Sequence, residues 1–340
     1  MSRARAFSRC IAFPVLLVLG TLSAFQEAAE PLRLGQGDHL YEWVDGWGAL
    51  ADGKGLGNTH GCVVVDSRDR VYLNTDTENA VVVYDPAGNV LSTWGAELAG
   101  GLHGMCIAEE DGEEVLWLAH IGKHAVYKAT LEGEILQTID WPEEAGIYES
   151  AEQYRPTSVV VGPDGDLYVA DGYGSSWIHR FRTDGTYVSS FGGRGRGLGM
   201  LQTPHGLWLD ARAGAAELLV ADRENGRLQA FGLDGAALRT VSGMLRRPCH
   251  VQAAKDKSGD LIVADLAGRV TVLNAKDELL TQLGDNPDPA KRARNDVPAG
   301  ECKPGEFVSP HCAAWDSRGD LYVTDWLAFG RVSKLRRVRD

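Results

Sequence analysis

The chain has 340 residues, of which 41 are glycine and 24% are charged, and its formal net charge is −13. This composition is typical of a globular protein and excludes a disordered or collagen-like chain. The acidic residues are spread over turns as a solvated surface, and the negative charge argues against a nucleic-acid partner because phosphate binding needs a basic face.

Residues 1–24 have the pattern of a secretion signal. The basic residues Arg3, Arg5 and Arg9 precede an apolar stretch over 11–22, and small residues follow at 23–24, as in cleaved signal peptides. The stretch is shorter than a typical membrane span, although a retained anchor is the alternative. We therefore expect a secreted or periplasmic protein that is soluble after signal cleavage, with a linker over 25–38.

From residue 39 to 340 the sequence repeats a pattern of four short strands. Segments such as 166–181 (DLYVADGYGSSWIHRF) and 217–231 (ELLVADRENGRLQAF) pair two β-rich halves across a polar turn. Tight turns such as 183–185 then lead into a further strand. The unit recurs roughly every 40–60 residues, which is typical of propeller blades. The sequence predicts an all-β fold, a six-bladed β-propeller of four-stranded antiparallel blades.

The two ends of this repeat array complement each other. The last unit supplies only three strands before the sequence ends, and the N-terminal segment 40–44 (LYEWV) reads as a strand without a partner. Inserting that strand into the last blade would close the ring and cover an unpaired edge. The longest insertion, over 285–308, enters the last blade and is expected to form a rim loop beside the channel mouth.

A histidine recurs at the start of the first strand of most blades. The six entry positions hold His60, His103, Thr157, His205, His250 and His311. Because the first strand of each blade lines the central channel, these side chains are expected to converge. Alternate blades carry His103, His205 and His311, which would form a three-histidine set with an open face, as in catalytic zinc sites.

Imidazole also binds iron, copper and nickel, so the metal could be another transition ion. His60 and His250 are further candidates, as ligands or as hydrogen-bonding neighbours. The alternative is that each histidine only forms a backbone hydrogen bond at the blade entry, but five in register favour a metal. We expect His120 and His124 on the rim or surface, and His39 and His179 in structural or solvated positions.

Five cysteines follow the signal segment, namely Cys62, Cys106, Cys249, Cys302 and Cys312. The odd number and the spacing predict no disulfide framework. Four of them lie in or beside apolar strands, where a small core residue is the default interpretation. A bridge between Cys302 and Cys312 remains open.

Several phrases resemble known proteins. GEFVSPH (305–311) and GMLQTPHG (199–206) are typical of NHL-type propeller repeats. The longer phrase RPTSVVVGPDGDLYVADGYGSSWIHRF (155–181), with TPHGLWLD (203–210) and LLVADRENGRLQAF (218–231), resembles the peptidyl-α-hydroxyglycine α-amidating lyases. The similarity is densest over 155–231. The combination of the three phrases is more specific than an NHL repeat alone.

The resemblance implies a six-bladed propeller with a channel zinc ion, which splits a peptidyl-α-hydroxyglycine into the peptide amide and glyoxylate. It assigns the zinc ligands to His103, His205 and His311, the catalytic tyrosine to Tyr173 and an active-site arginine to Arg223. In that chemistry the metal lowers the pKa of the carbinol hydroxyl, a phenolate takes its proton and an arginine binds the carboxylate.

The chain also departs from that family. A second arginine expected near 75–76 has no counterpart there. Cys312 replaces an aspartate that helps to hold a structural calcium, which argues against calcium here. Disulfide cysteines of the family are replaced by Gly174, Leu219 and Ala230.

The sequence therefore leaves competing functional hypotheses. The first is a secreted metal-dependent lyase or hydrolase acting on a small carbonyl or carbinol substrate. The alternative is a non-catalytic NHL-repeat propeller that binds a protein or glycan. A lactonase-type calcium propeller ranks lowest, because histidine rather than carboxylate occupies the channel entries. We expect a monomer whose small-molecule or peptide substrate enters the central channel, with neither nucleic acid nor membrane as a partner.

Overall fold

The computed structural model describes residue 1 and residues 30–50, 55–212 and 214–339. The predicted signal segment, apart from its first residue, lies outside the described residues. From Leu32 onward the chain forms one unit built of six antiparallel sheets. The described residues contain no helix that is long and apolar enough to cross a membrane. The predicted all-β six-bladed propeller is confirmed.

Each of the first five blades has four strands in sequence order. Blade one comprises Val63–Val65, Val71–Asn74, Val81–Tyr84 and Val90–Trp94. Blade two comprises Leu102–Glu110, Glu113–His120, Ala125–Thr130 and Ile135–Ile139. Blade three comprises Ser158–Val161, Leu167–Ala170, Trp177–Phe181 and Tyr187–Gly192. Blade four comprises Pro204–Asp210, Glu217–Asp222, Arg227–Gly232 and Ala237–Val241. Blade five comprises Pro248–Ala253, Leu261–Asp265, Arg269–Leu273 and Leu279–Leu283. Short 3-10 turns span Ala96–Leu98, Glu143–Ala145, Ala151–Gln153, Arg223–Asn225 and Ala299–Glu301.

The sixth blade joins the two ends of the chain. Its inner strands are Pro310–Trp315, Leu321–Asp325 and Arg331–Arg337, and the N-terminal strand His39–Val44 pairs antiparallel with the last of these. The predicted closure of the ring is confirmed. A fifth strand, Arg33–Gln36, pairs with His39–Val44 within the segment interpreted as a linker. Tyr41 is fully buried in this blade and accepts a hydrogen bond from the indole of Trp315 at 2.9 Å.

Burial follows position within the blade. The middle strands are the most buried, and in blade one Val71–Asn74 and Val81–Tyr84 are buried along their whole length. The outermost strands alternate between partly buried and exposed residues, as in Ala237–Val241. This is the pattern of a strand covered on one face only. The core therefore lies between neighbouring blades, and each aliphatic side chain buried there contributes about 1.5–3 kcal/mol.

The insertion at 285–308 packs against the last blade. Val297 forms a small apolar cluster with Val308 and Leu327. The amide of Ala328 donates to the carbonyl of Asn295 at 2.9 Å. These contacts fix the turn that follows the second strand of blade six, and that turn carries Trp326 toward the channel.

Candidate metal centre

Three histidines from alternate blades meet in the channel. His103, His205 and His311 are each the second residue of an inner strand, and each is at most 2% exposed. Their ring centroids lie 4.6, 4.7 and 4.8 Å apart. We call these three residues the histidine layer. The structure thus brings together the set that the alternate-blade argument selected.

Each imidazole of the histidine layer is anchored on the next blade. Its Nδ1 atom lies 2.7–3.0 Å from a backbone carbonyl oxygen. A carbonyl can only accept, so Nδ1 carries the proton and Nε2 keeps its lone pair. For His103, His205 and His311 the accepting residues are Thr157, Cys249 and Gly61 respectively.

A buried aspartate holds the entry segment of four blades in place. It ends or directly follows the second strand, in the repeated Ala-Asp or Thr-Asp phrase. Its carboxylate accepts backbone N–H groups from the residues that lead into the first strand. In blade four, for example, Asp222 accepts from the amide of Gln202 at 2.7 Å. The equivalent residues of blades three, five and six are Asp171, Asp265 and Asp325.

The residue after each histidine of the layer determines how closely the blades approach. A Cβ atom on Gly104 would lie 2.5 Å from the carbonyl oxygen of Thr157, and one on Gly206 would lie 2.4 Å from that of Cys249. Both positions therefore require glycine. After His311, the same position holds Cys312.

Tyr173 and Arg223 lie over the histidine layer. The Tyr173 hydroxyl is 3.0 Å from Nε2 of His205 and 3.3 Å from Nε2 of His103. Arg223 donates from a terminal nitrogen to the same hydroxyl oxygen at 3.2 Å, and its guanidinium lies 5.3 Å from the Tyr173 ring centroid. Its Nε donates to Glu224 at 3.0 Å. Arg223 thus contacts both the acidic neighbour and the tyrosine.

Burial controls the protonation of these groups. Desolvation lowers the pKa of all three histidines of the layer well below the usual range, and the charge of Arg223 acts in the same direction. They are therefore neutral at physiological pH, as metal ligands must be. Desolvation raises the pKa of Tyr173 to about 12, while Arg223 opposes that rise.

His60 joins this group from blade one. Its Nε2 atom lies 3.2 Å from the Tyr173 hydroxyl, and its ring is stacked on Tyr173 with centroids 5.9 Å apart. Donor atoms of His60, His103 and His311 lie within 4.8 Å of one another. Unlike the histidine layer, His60 has no Nδ1 hydrogen bond to any described residue. Its position suits a neighbour of Tyr173 better than an anchored ligand.

His250 lies elsewhere. It is 7% exposed and groups with Cys62 and Cys312, away from Tyr173. The preceding Cys249 lies beside the histidine layer instead, since its donor atom is within 4.8 Å of donor atoms of His205 and His311.

The remaining histidines and cysteines differ partly from expectation. His120 is only 2% exposed and its Nδ1 accepts the amides of Gly122 and Lys123, so its expected rim or surface position is wrong. His39 and His179 are buried and hydrogen-bonded, in structural positions. The five described cysteines are free thiols.

Two residues near the site were missed by the sequence analysis. Arg155 supplies a positive charge that lowers the pKa of both His60 and Tyr173. Trp326 packs on His60 with ring centroids 4.9 Å apart. Arg155 directly precedes the entry phrase of blade three, a signal that could have identified it. Trp326 had no such signal.

The donor set fits a transition metal. Three neutral imidazoles with their Nδ1 atoms anchored on carbonyls are the usual arrangement of zinc-binding histidines. The Nε2 atom of His311 is buried and has no hydrogen-bond partner among the described residues, which is costly for an atom that bonds nothing. His103, His205 and His311 are thus able to hold such an ion.

Comparison with known proteins supports this reading of the fold and the family resemblance. Residues 154–181 match the NHL repeat family. The chain is 33% identical over 161 residues to peptidyl-glycine alpha-amidating monooxygenase B of Xenopus laevis. This aligned segment covers 45% of this chain and 18% of that protein. It is 29% identical over 252 residues to peptidyl-alpha-hydroxyglycine alpha-amidating lyase 2 of Drosophila melanogaster, covering 73% of this chain and 58% of that protein.

The expected resemblance to the amidating lyases is confirmed. The chain spans less than a fifth of the monooxygenase and less than two thirds of the Drosophila lyase. Solved structures agree on the fold. A streptogramin B lyase has a TM-score of 0.56 at 14% identity, with 82% of this chain and 94% of that chain covered. A gluconolactonase from Xanthomonas campestris has the same score and identity, with 91% and 95% covered.

Proposed function

We propose that the protein is a metal-dependent lyase that cleaves a peptidyl-α-hydroxyglycine to the peptide amide and glyoxylate. The observation that carries the proposal is the Tyr173 hydroxyl, which lies within 3.3 Å of imidazole nitrogens of His103 and His205 and accepts a hydrogen bond from Arg223. The similarity to amidating lyases supports the same reaction.

His103, His205 and His311 would hold the metal through Nε2. A bound zinc ion supplies a Lewis acid that lowers the pKa of a hydroxyl group placed against it. The surrounding blades contribute burial, which strengthens electrostatic interactions by excluding water.

Tyr173 is the proposed general base. Burial alone favours the neutral phenol, since it raises the pKa to about 12. Arg223 acts in the opposite direction, because its N–H group stabilises negative charge on the phenolic oxygen. In its phenolate form Tyr173 accepts the proton of the carbinol hydroxyl. A positioned base of this kind contributes about 10²–10⁴-fold to the rate.

The atoms and electrons of the cleavage balance without an oxidant. The O–H bond of the carbinol breaks and its electron pair forms the C=O bond of glyoxylate. The C–N bond then breaks, and its electron pair remains on the amide nitrogen, which takes up a proton. The phenol formed on Tyr173 can return that proton, so one residue serves as base and then as acid.

Two arginines are proposed to bind the substrate carboxylate. Arg223 is held by Glu224 at 3.0 Å, which fixes its guanidinium over the site. Arg155 is exposed and near enough for its charge to affect Tyr173. Guanidinium groups bind carboxylates with paired N–H donors. Arg155 would therefore serve as the second cation that the first blade does not provide.

We also propose that the enzyme acts outside the cytoplasm. The support is the basic start followed by the apolar stretch over 11–22. Fractionation of cells that express the full chain, with mass spectrometry of its N-terminus, tests this part. Recovery of the unprocessed chain in the cytoplasm would contradict it.

Glyoxylate release from an α-hydroxyglycyl peptide tests the reaction. Wild-type protein loaded with zinc should release glyoxylate, and Tyr173→Phe should lose about 10²–10⁴-fold in kcat. Tyr154→Phe is the matched control, because the buried Tyr154 hydroxyl has no hydrogen-bond partner among the described residues. Equal rates for the two variants would exclude Tyr173 as the base. A folded wild type without turnover would favour the non-catalytic binding module.

A further inference from the structure

A second cluster of metal-binding side chains lies apart from the histidine layer. Cys62, His250 and Cys312 each offer a donor atom, and these atoms lie within 4.8 Å of one another. All three residues are at most 7% exposed. We call this group the thiol cluster. It joins blades one, five and six, next to the place where the ring closes.

The contacts of the thiol cluster leave its donor atoms available. The Cys62 and Cys312 thiols are hydrogen-bond neighbours, and the Cys312 thiol also lies 3.4 Å from the carbonyl oxygen of Val63. The Nδ1 atom of His250 is buried without a hydrogen-bond partner among the described residues. An unpaired buried polar atom costs about 1–3 kcal/mol, and a ring nitrogen of His250 lies within 4.8 Å of both thiol sulfurs. Together these observations point to a ligand.

The chemistry of the cluster selects the kind of ion. Two thiolates and one imidazole are soft or borderline ligands, which bind zinc or copper(I) and not calcium or magnesium. No carboxylate belongs to the group. A cavity of about 200 Å³ along the inner strands reaches His250 and is lined also by Glu109 and Glu114. This cavity gives a small ion access as far as His250.

We propose that Cys62, His250 and Cys312 form a second metal site, which binds a thiophilic ion, zinc or copper(I). The bound ion stabilises the closure of the ring. A single ion would link three blades whose strands come from distant parts of the sequence. The site is independent of the proposed lyase reaction, because none of its residues contacts Tyr173 or Arg223 among the described hydrogen bonds.

Elemental analysis of the purified full chain tests this site, and identifies zinc or copper directly. Wild-type protein should bind two ions, and Cys62→Ser/Cys312→Ser should bind one. After cobalt substitution, wild type should show a thiolate-to-cobalt charge-transfer band that the double variant lacks. Cys106→Ser, a thiol lining the same cavity, is the matched control and should keep both the band and the stoichiometry.

Alkylation of the thiols in wild-type protein tests the same site if the double variant fails to fold. Bound metal should protect Cys62 and Cys312 from alkylation, and a chelator should abolish the protection. A cobalt band that survives in the double variant would overturn the proposal, and so would a Cys62–Cys312 disulfide in the non-reduced protein. His205→Ala should retain the thiol-cluster ion, so failure of the lyase proposal would be distinguishable.

Discussion

Even-numbered and odd-numbered blades present different chemistry at the same entry position. Blades two, four and six carry His103, His205 and His311, each with Nδ1 anchored on a carbonyl of the next blade. Blades one, three and five carry His60, Thr157 and His250, which serve three different purposes. His60 contacts Tyr173, Thr157 donates to the carbonyl of Pro204 at 2.8 Å, and His250 faces two thiols.

The repeat therefore fixes the position of the entry side chain, and the neighbouring residues determine its role. Anchoring of Nδ1 fixes the tautomer and directs Nε2 toward the axis. The residue that follows the histidine differs between the blade junctions. Gly104 and Gly206 permit close backbone contact, whereas Cys312 places a thiol beside Cys62.

The role of the anchored histidines can be tested by replacing one of them. His205→Ala should lose the metal of the histidine layer and lower activity on the order of 100-fold or more, since even outer-shell partners of metal ligands are worth 10–100-fold. His39→Ala, a buried histidine bonded to Asp260 outside the channel, should keep the metal. Elemental analysis and the glyoxylate assay measure both. Full occupancy in His205→Ala would refute the ligand assignment.

The blade junction can be tested through Gly206. In Gly206→Ala the new Cβ would meet the carbonyl oxygen of Cys249 at 2.4 Å, and overpacking of this kind costs about 1–3 kcal/mol. Urea unfolding should therefore show a lower midpoint. Gly300→Ala, where nothing lies within 4 Å, should change stability by less than about 0.5 kcal/mol. Equal midpoints for the two variants would show that the junction tolerates a side chain.

Acid should destabilise the fold because its buried histidines are neutral. His179 lies outside the channel and serves as the reference histidine. Burial lowers the pKa of His179 to about 3 and that of His60 to about 4. Because the folded pKa lies below the unfolded value of 6.5, the stability is complete above pH 6.5 and is lost as the pH falls toward 4.

Unfolding free energies measured between pH 7 and pH 4 check this sign. The loss should amount to about 3 kcal/mol for each of these two histidines. His179→Gln should reduce the slope, whatever its effect on absolute stability. A slope that is zero in wild type, or unchanged in His179→Gln, would contradict the assignment of a buried neutral imidazole.

Glu224 supports Arg223, and its replacement should have a modest effect on substrate binding. In Glu224→Gln the ion pair at 3.0 Å is lost, and the partly exposed pair is worth about 0.2–1 kcal/mol. KM should rise about twofold to fivefold, with kcat nearly unchanged, because the guanidinium is less well fixed for the carboxylate. Glu217→Gln, which pairs with Arg239 instead, is the control. A loss confined to kcat would point to a different role.

Much of the fold could be predicted from the sequence. The period of the repeat and the orphan strand at 40–44 identified the blades and the closure, because strand alternation and turn residues are local properties. Strand Arg33–Gln36 could not be recognised, since RLGQ contains no β-branched or aromatic residue. Its place depends on pairing with His39–Val44.

The candidate site was predictable only in part. The alternate-blade rule and the family resemblance selected His103, His205, His311, Tyr173 and Arg223, and the structure brings these five together. The thiol cluster was not foreseen, because Cys62 and Cys312 are 250 residues apart in sequence, as are His311 and Gly61. Contacts across the ring closure leave no local pattern in the sequence. Arg155 was missed although it directly precedes the entry phrase of blade three, because its effect on His60 and Tyr173 depends on the fold that brings them near.

Glyoxylate release by the wild-type protein before and after metal removal tests whether the protein is a metal-dependent lyase. The purified chain, supplied with an α-hydroxyglycyl peptide, should release glyoxylate and peptide amide in equal amounts. A chelator should abolish the release, and zinc should restore it. A chain that remains folded and fully active after complete metal removal would show that the cleavage does not depend on a metal.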